Sequence, residues 1–320
     1  MVDILTDMSF SVDVLDYCYK YPIQSQEYDL IIGFGDAYES IFYQAARPTC
    51  ILYATGAPLP VQNYAETMRI KAINDVKGIN LFPDRVFDRT WPCSDILSDA
   101  IISVTSGWAK SQFEKHHGNV YSVNITSLSD ELVLSDAFIK NKDPRQFVWF
   151  SGAGAAHKGL DLCLEVFKEK PDLTLHVVGN LEQEPHFMRH YQSFLHLNNI
   201  HYHGFIDVCS DQMSSIMANT TFVILPSCSE GAATSVLTCM QWQCIPVITP
   251  QCGIVYPEAI VISDPSIQSV EKAVACCLAL SQSECNARMR DAARWVAAEH
   301  NSRRYKTSLR NALSDILEEL

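Results

Sequence analysis

The chain has 320 residues, of which 48% are hydrophobic and 19% charged, and its formal net charge is −13. This length favours two domains of roughly 150 residues each, and the composition is that of a folded protein rather than a disordered one. The acidic balance argues against nucleic acid as a partner, because a nucleic acid requires a basic surface.

The first half of the chain predicts an α/β domain. Short apolar runs at 29–33, 50–56 and 99–104 are bounded by turn residues, which is typical of parallel strands covered by helices. A helix is predicted between the second and third runs, over 61–76. The charged, proline-containing segment 140–145 then predicts a linker to a second domain.

Strands and helices alternate more regularly beyond that linker. Strands are predicted at 147–150, 173–178, 200–204, 222–225 and 244–249, with helices between them and a mainly helical region afterwards. Such alternation predicts right-handed crossovers and a doubly wound parallel sheet. Ligands of such sheets bind beyond the carboxyl ends of the strands, so the loops that follow the strands are candidate binding segments.

The most informative loop follows the predicted strand 222–225. The chain turns through small polar residues, presents Glu230, passes Gly231 and enters an amphipathic helix. This junction leaves first-turn N–H groups unpaired at the positive end of the helix dipole, which makes an anion site. A carboxylate beside such a site suits a ligand with phosphate and hydroxyl groups, such as a nucleotide-sugar. The loop 151–159, rich in glycine and alanine, contributes Lys158 at the same edge.

Cysteine and terminal patterns limit the other classes of site. Among the twelve cysteines no pair has the two-residue spacing of a zinc knuckle, so we expect no metal site and buried free thiols, for example at Cys163, Cys239 and Cys276. No apolar run approaches the ~20 residues that span a bilayer, and the first residues carry acids instead of the basic residues of a signal peptide. We expect a cytoplasmic protein without a transmembrane segment, for which peripheral association with a membrane stays open.

Short motifs in the second half occur in a characteristic order. They are Trp149–Gly152 with His157–Gly159, Val177–Gly179, Asn199–Ile200 with His203–Phe205, Leu225–Ser227 with Glu230–Gly231, and Ile245–Ile248. Through these motifs the chain resembles retaining glycosyltransferases of the GT-B architecture, in particular family 4 (glycosyltransferase group 1). The first half matches only loosely, as a shortened N-terminal domain.

The resemblance implies an α/β, GT-B fold with two Rossmann-like, doubly wound parallel-sheet domains facing a cleft. Residues 1–143 would form the acceptor side, 144–300 would bind the nucleotide-sugar, and a helix over 301–320 would cross back to the first domain. The implied reaction needs no metal or cofactor. It transfers a hexose-type sugar, with retention, from the donor to a hydroxyl of a sugar, lipid-linked or protein acceptor, in the setting of cell-surface polysaccharide or glycoconjugate assembly. The nucleotide, the acceptor and the oligomeric state stay open.

The resemblance also implies roles for individual residues. Lys158 would neutralise the leaving diphosphate and Glu230 would hold hydroxyls of the donor sugar, so these are the predicted catalytic residues. His157 is ambiguous: we expect an exposed loop histidine, and an imidazolium near a phosphate is the alternative. The predicted donor-binding residues are Gly152, His157, Gly179, Asn180, Phe205, Ile206, Gly231, Ala232, Ala233, Thr234, Ser235 and Thr238. The candidate N-terminal wall of the cleft comprises Gly33, Gly35, Asp36 and Gly56, with Arg69 and Arg85 as candidate acceptor contacts.

Two positions depart from the family pattern. The family usually carries a second glutamate eight residues after the first, where this chain has Thr238, and an arginine after the first-loop glycine, where it has Ala153. Two alternatives are therefore open. One is a catalytically silent, glycosyltransferase-like subunit that binds a partner protein. The other is a GT-B nucleotide-sugar epimerase, for which the sequence offers no evident additional acid–base residue.

Overall fold

A computed structural model describes residues 1–17, 19, 21, 23–128 and 136–319. In this part of the chain two parallel β-sheets, of four and six strands, are covered by helices, which confirms the predicted α/β architecture. Among the helices of these residues, none combines the length and the apolar character needed to cross a membrane.

The first sheet has the simple strand order β1-β2-β3-β4, all parallel. Its strands are β1 (Leu30–Gly33), β2 (Thr49–Ala54), β3 (Ala100–Ser103) and β4 (Val120–Ser122). The helices of this half are α1 (Val2–Asp7), α2 (Asp36–Ser40), α3 (Leu59–Lys77), α4 (Pro92–Leu97) and α5 (Trp108–Phe113). Because successive right-handed crossovers lie on one face, a sheet of this order needs other elements to cover its second face.

The last helix of the chain, α13 (Ser302–Glu319), covers that second face. Side chains of neighbouring residues in β2 point to opposite faces, so Leu52 packs with Tyr38 and Phe113, whereas Ile51 packs in a separate core. The core that contains Ile51 also contains Leu313 of α13. Its other members from the chain termini are Ile4, Leu5, Leu309, Ala312 and Ile316. The helical spacing of the α13 residues gives it one apolar stripe, which is buried on the first sheet.

The second sheet has the order β10-β9-β8-β5-β6-β7, and every strand pair is parallel. Its strands are β5 (Asp143–Phe150), β6 (Thr174–Val178), β7 (Ile200–Tyr202), β8 (Thr220–Leu225), β9 (Ile245–Ile248) and β10 (Ile260–Val261). Its helices are α6 (Asp136–Asn141), α7 (Leu160–Lys168), α8 (Pro185–Tyr191), α9 (Asp211–Asn219), α10 (Thr234–Gln241), α11 (Ile267–Leu278) and α12 (Gln282–Glu299). The strand order reverses between β5 and β8. The crevice where ligands bind in such sheets therefore lies between the loops that follow these two strands.

The predicted linker at 140–145 is wrong. Helix α6 extends to Asn141 and β5 already begins at Asp143. Lys142 between them is buried, and its ammonium group donates to the carbonyls of Met217 at 2.7 Å and Thr220 at 2.6 Å. Burial lowers the pKa of Lys142. A charged residue of the predicted linker instead fastens the start of β5 to the end of α9 and the start of β8.

Helix α3 joins the two halves of the molecule. It occupies the position of the predicted helix 61–76, yet its buried Ile70 and Ile73 belong to the hydrophobic core of the second sheet. Arg69 forms a buried ion pair with Asp161 of α7, and Lys77 pairs with Glu165 on the same helix. The expectation that Arg69 contacts an acceptor is therefore wrong, since its guanidinium is buried between two helices.

The thiols agree in part with expectation. The eleven cysteines that the structure describes are all free. Cys163 and Cys239 are buried in the large core, as predicted, but Cys276 is exposed on α11 while its neighbour Cys277 takes the inward position. The apolar sequence around Cys276 did not show which of the two adjacent cysteines is buried, because neighbouring residues of a helix point about 100° apart.

Candidate functional site

Lys158 and Glu230 meet at the point where the strand order of the second sheet reverses. Lys158 lies in the loop after β5 and Glu230 in the loop after β8. The Lys158 ammonium nitrogen is 3.4 Å from Oε1 of Glu230, and the two side chains are 13% and 12% exposed. Two chemically complementary groups from distant segments thus share one largely enclosed position.

Buried neighbours fix both groups. The indole N–H of Trp149, which is fully buried in β5, donates to the Lys158 carbonyl at 3.0 Å. The Ser227 hydroxyl donates to Oε1 of Glu230 at 2.9 Å, and the Glu230 amide donates to the Gln251 carbonyl at 2.9 Å. Because these contacts hold the backbone on both sides, the pair is positioned before any ligand arrives.

His157 is fully buried, so the expectation of an exposed loop histidine is wrong. Its Nδ1 lies 2.8 Å from Oε2 of Glu66 on α3, and its Nε2 lies 2.5 Å from the Ser229 carbonyl oxygen. Both partners are acceptors, so both ring nitrogens donate and the ring is an imidazolium. Burial opposes this charge, but Cys228 and Glu66 favour it, and the net effect raises the pKa of His157 to about 10. The cation faces a carboxylate of the first half rather than an open phosphate site.

The group Glu66, His157 and Cys228 has ligand atoms within 4.8 Å of one another, as a metal site requires. The Cys228 sulfur lies 3.5 Å from Nδ1 of His157. A metal ion would have to displace the proton that Nδ1 donates to Glu66, and metal binding competes poorly with a proton held at a pKa of about 10. The arrangement therefore acts as a buried ion pair between the two halves.

Glu184 occupies amides that the glycine-rich first loop offers. The N–H groups of Gly154 and Ala155 donate to its two carboxylate oxygens at 2.7 Å and 2.8 Å. Glu184 is buried, and burial raises its pKa although the two amides oppose that rise. The sequence suggested that this loop approaches a ligand; part of it instead binds the chain's own carboxylate. Sequence spacing gave no signal for this contact.

A cavity of about 510 Å³ lies at the carboxyl ends of β5 and β6 and the start of α10. Its lining includes the start of the loop that carries Lys158 and the helix that follows the Glu230 loop. The predicted donor-binding residues that line it are Gly152, Gly179, Phe205, Ile206, Thr234, Ser235 and Thr238. Its remaining lining residues are Phe150, Ser151, Val178, Asp207 and Val208. The predicted residues His157, Asn180, Gly231, Ala232 and Ala233 lie outside this lining, as do Lys158 and Glu230.

The amino end of α10 supplies donors to this cavity. The amides of Thr234 and Ser235, its first two residues, have no carbonyl partner within the described residues, whereas the Ala233 amide donates to the Cys252 carbonyl at 2.9 Å. Thr238, one turn further, is 6% exposed, and its hydroxyl donates to the Thr234 carbonyl at 3.0 Å. The helix end can therefore meet an anion, but Thr238 brings no carboxylate to the cavity.

Gly56, a predicted wall residue of the first half, lies against the loop that carries Glu230. A Cβ atom added to Gly231 would lie 2.1 Å from the Thr55 carbonyl oxygen and 3.1 Å from Cα of Gly56. Glycine is required here because the two backbones are in contact. The segment 55–56 therefore covers the loop that carries Glu230.

The other predicted wall residues make their recorded contacts within the first half. Asp36 accepts from the Trp91 indole at 2.8 Å and from Arg89 at 2.7 Å. These hydrogen bonds lower the pKa of Asp36. Gly33 lies against Tyr38 and Gly35 against the Tyr17 carbonyl. Among the described contacts, none brings Gly33, Gly35 or Asp36 to Lys158 or Glu230.

Arg85 lies beside the position of the missing arginine. It comes from the first half, yet its guanidinium donates to the Ala153 carbonyl at 3.2 Å, and its side chain packs against Gly154. From the sequence, this arginine was predicted only as a candidate acceptor contact. Its proximity to the first loop could not be predicted, because no local pattern shows which residues of the first half reach the second.

Two parallel-sheet domains, with a cavity and a lysine–carboxylate pair at the strand-order reversal of the second, define a GT-B glycosyltransferase architecture. The sequence model of the family described as "Glycosyl transferases group 1" matches residues 135–294. The chain therefore belongs to this family. No curated protein matches the chain in a sequence comparison.

Solved structures share the fold across most of the chain. HepE of Anabaena in complex with UDP and glucose has 14% sequence identity and a TM-score of 0.58, with 92% of this chain and 79% of that chain covered. WaaG, a glycosyltransferase involved in lipopolysaccharide biosynthesis, has 15% identity and a TM-score of 0.53, with 82% and 73% covered. TarM has 12% identity and a TM-score of 0.60, with 90% and 54% covered. At these identities the likeness shows a common fold.

Proposed function

We propose that this protein transfers a sugar, with retention and without a metal ion, from a nucleoside-diphosphate donor to an acceptor hydroxyl. The observation that carries the proposal is the 3.4 Å approach of Lys158 to Glu230 at the strand-order reversal, next to a cavity of about 510 Å³. A cation for the leaving diphosphate and a carboxylate for sugar hydroxyls are the two groups that this reaction needs side by side.

The cavity suits the nucleoside of such a donor. Its rim carries Phe205, whose ring is 77% exposed and free to stack on a base, and Gly152 and Gly179 allow close approach of a ligand to the backbone. Thr234 and Ser235 line the same cavity, and their amides at the start of α10, which have no carbonyl partner in the described part of the chain, suit a phosphate. In this placement the diphosphate extends from the cavity toward Lys158, and the sugar reaches Glu230.

Arg85 supplies the second cation in this proposal. The family's arginine is replaced by Ala153, but the Arg85 guanidinium lies against the Ala153 carbonyl at 3.2 Å. An arginine contributed by the first half would bind the diphosphate only when the two halves are together. As bond cleavage leaves negative charge on the phosphate, Lys158 and Arg85 would stabilise it, and this stabilisation requires no metal.

Residues 1–143 would present the acceptor and 144–300 the donor, with 301–320 holding the two together. UDP is the first nucleotide to test, because HepE was solved with UDP-glucose and a TarM variant with UDP. The likeness to WaaG, a glycosyltransferase involved in lipopolysaccharide biosynthesis, supports an acceptor hydroxyl on a sugar or lipid-linked glycan.

A catalytically silent subunit is the second candidate, and specific contacts favour it. Thr55 lies directly on Gly231, Glu184 occupies two amides of the first loop, and Thr238 replaces the second carboxylate. In that case the closed arrangement would be permanent and the protein would act through its surface. No described residue offers the additional acid–base pair of an epimerase, so we do not favour that activity.

Donor turnover separates the two candidates. Release of the sugar from a panel of nucleotide-sugars is measured for the wild type, Lys158→Ala, Glu230→Gln and Arg85→Gln. Matched controls are Lys71→Ala, an exposed lysine of α3, and Glu271→Gln, an exposed carboxylate of α11. We expect a loss of about 100-fold or more for Lys158→Ala and Glu230→Gln, the scale of one removed electrostatic donor. Absence of turnover with every donor, from a protein shown to be folded, would support the silent subunit.

A further inference from the structure

Three histidines lie side by side on one face of the second sheet. His176 of β6 is paired in register with His201 of β7, and His203 follows two positions later, so its side chain returns to the same face. The ring centroids of His176 and His203 are 5.2 Å apart, and those of His176 and His201 are 5.5 Å apart. This histidine face takes no part in the site described above.

The opposite face of the same strands shows what is unusual here. Leu175, Val177 and Ile200 point the other way and are buried in the core. On the histidine face, by contrast, His201 is exposed and the other two rings are half-buried. A solvated sheet face normally carries unrelated polar residues, so three adjacent imidazoles form a distinct chemical cluster that remains accessible from solvent.

The nitrogen positions fit two neighbouring ligands of one ion. Nδ1 of His176 and Nε2 of His203 lie 3.0 Å apart. Two imidazole nitrogens bound tetrahedrally at 2.0–2.1 Å from one metal ion are separated by about 3.3 Å. A displacement of a few tenths of an ångström therefore opens the hydrogen-bonded pair to a metal ion. In the part of the chain that the structure describes, the ring nitrogens of all three histidines do not lie within 4.8 Å of one another, so His201 reaches a shared ion only after its exposed ring rotates.

A hydrogen bond from outside the cluster sets the tautomer of His176. Its Nε2 lies 3.0 Å from Oε1 of Gln146, on the neighbouring strand β5. With that oxygen accepting, the proton of His176 is on Nε2, and the lone pair of Nδ1 accepts from Nε2 of His203. Metal binding by both atoms therefore requires His203 to move its proton from Nε2 to Nδ1. Metal-bound histidines usually donate their second N–H to an acceptor of this kind, which orients the ring.

His176 and His203 are also neutral when a metal ion needs them to be. Burial and the neighbouring imidazoles lower the pKa of His176 to about 4, and they lower the pKa of His203 as well. Protons therefore do not compete for these nitrogens near pH 7. The opposite holds for His157, whose pKa is raised by its ion pair.

We propose that His176, His201 and His203 form a binding site for one divalent transition-metal ion, of the class that prefers imidazole ligands, such as Zn²⁺, Ni²⁺ or Cu²⁺. The sequence signal is His201–Tyr202–His203, because a spacing of two in a strand places both rings on one face. Cysteine spacing alone did not reveal it. The site does not depend on sugar transfer. It is connected to the cavity through the backbone. Gly204 follows His203, and its carbonyl accepts from the amide of Gly179, which lines the cavity, at 3.0 Å.

The test is a calorimetric titration of Zn²⁺ into full-length, tag-free protein, with His203→Gln, His176→Gln and Gln146→Ala beside the wild type. His196→Gln is the control, because His196 is an exposed histidine outside the cluster. We expect one Zn²⁺ per chain in the wild type and in His196→Gln. We expect at least a tenfold weaker affinity in His203→Gln and His176→Gln, and a loss of about tenfold in Gln146→Ala, the usual range for an orienting partner.

Three results would overturn the proposal. One is the absence of stoichiometric Zn²⁺ binding by folded wild-type protein. Another is unchanged affinity in His203→Gln. The third is loss of binding in Cys228→Ser with retention in His203→Gln, which would assign the ion to the Glu66, His157 and Cys228 group. Because His176 is half-buried, imidazole ¹⁵N spectra of the wild type give a second readout. Zn²⁺ must shift the ring nitrogens of His176 and His203 and leave those of His196 unchanged.

Discussion

Single residues determine how the two halves of this protein meet. His157 directly precedes Lys158 in the chain. His157 nevertheless faces Glu66 of the first half, whereas Lys158 faces Glu230. Adjacent residues thus serve two tasks: one holds the halves together, and the other lines the proposed donor site. A change at His157 should therefore affect stability, and a change at Lys158 should affect the ligand.

The buried imidazolium gives the stability a defined pH dependence. The pKa of His157 is about 10 in the folded state and about 6.5 in an unfolded chain. A group whose pKa is raised on folding stabilises fully below the unfolded value, and this contribution is lost as pH rises through the folded value. We therefore expect the difference in melting temperature between wild type and His157→Gln to be largest below about pH 6.5 and to shrink steadily from there toward pH 10. A constant difference across this range would contradict the assignment of an imidazolium.

At this scale the sequence was informative where chemistry is local. The loop motifs predicted Lys158 and Glu230 as site residues, because a strand end followed by a glycine and a helix is readable in one segment, and the two side chains do meet. They could not reveal that Glu66 would bury His157, or that Arg85 would lie beside Ala153, since each contact joins residues far apart in the chain. For the same reason Glu184, which occupies the first-loop amides, was not predicted.

Among the elements, helix α3 departs most from a simple two-domain scheme. Its helical character was readable from the sequence, and α3 spans Leu59–Lys77. Its packing partner was not, because an apolar stripe does not show which core receives it. Similarly, the pattern of charge and proline at 140–145 predicted a linker. The ammonium group of Lys142 is instead buried and donates hydrogen bonds to the carbonyls of Met217 and Thr220.

The contribution of α3 to the hydrophobic core of the second sheet can be tested with two substitutions in this helix. Ile73→Ala removes a side chain that is 4% exposed, and we expect a loss of about 2–5 kcal/mol in the free energy of unfolding. Val76→Ala, three residues later, changes a side chain that is 77% exposed, and we expect an effect within about 0.5 kcal/mol. Urea denaturation of both variants measures the difference. Equal losses of unfolding free energy in the two variants would show that α3 is not packed on the core of the second sheet.

For the whole molecule, the closeness of the two halves is the main constraint on function. The GT-B fold followed from the alternation of strands and helices and from the family motifs. The relative position of the halves did not, because it depends on the Arg69–Asp161 and Glu66–His157 pairs and on the contact of Gly231 with Thr55. Since segment 55–56 covers the Glu230 loop, we expect the first half to move when a donor sugar binds.

The contact at Gly231 can be disturbed by one methyl group. In Gly231→Ala the new Cβ would lie 2.1 Å from the Thr55 carbonyl oxygen, closer than backbone atoms can approach. We expect a lower melting temperature and a larger radius of gyration by small-angle X-ray scattering, because the halves must separate. Gly118→Ala is the control, since no atom lies within 4 Å of the added Cβ and the position is exposed. Unchanged values for Gly231→Ala would contradict the closed contact.

The central claim is that Lys158, beside Glu230 and the cavity, holds a nucleoside diphosphate. The most direct measurement is the thermal shift of wild type, Lys158→Ala and Lys71→Ala with UDP, GDP, ADP, dTDP and CMP, because a ligand that binds only the folded state raises the melting temperature. We predict that a diphosphate raises it for wild type and Lys71→Ala and that the shift is lost in Lys158→Ala. No shift with any nucleotide at millimolar concentration, or an equal shift in Lys158→Ala, would contradict the claim.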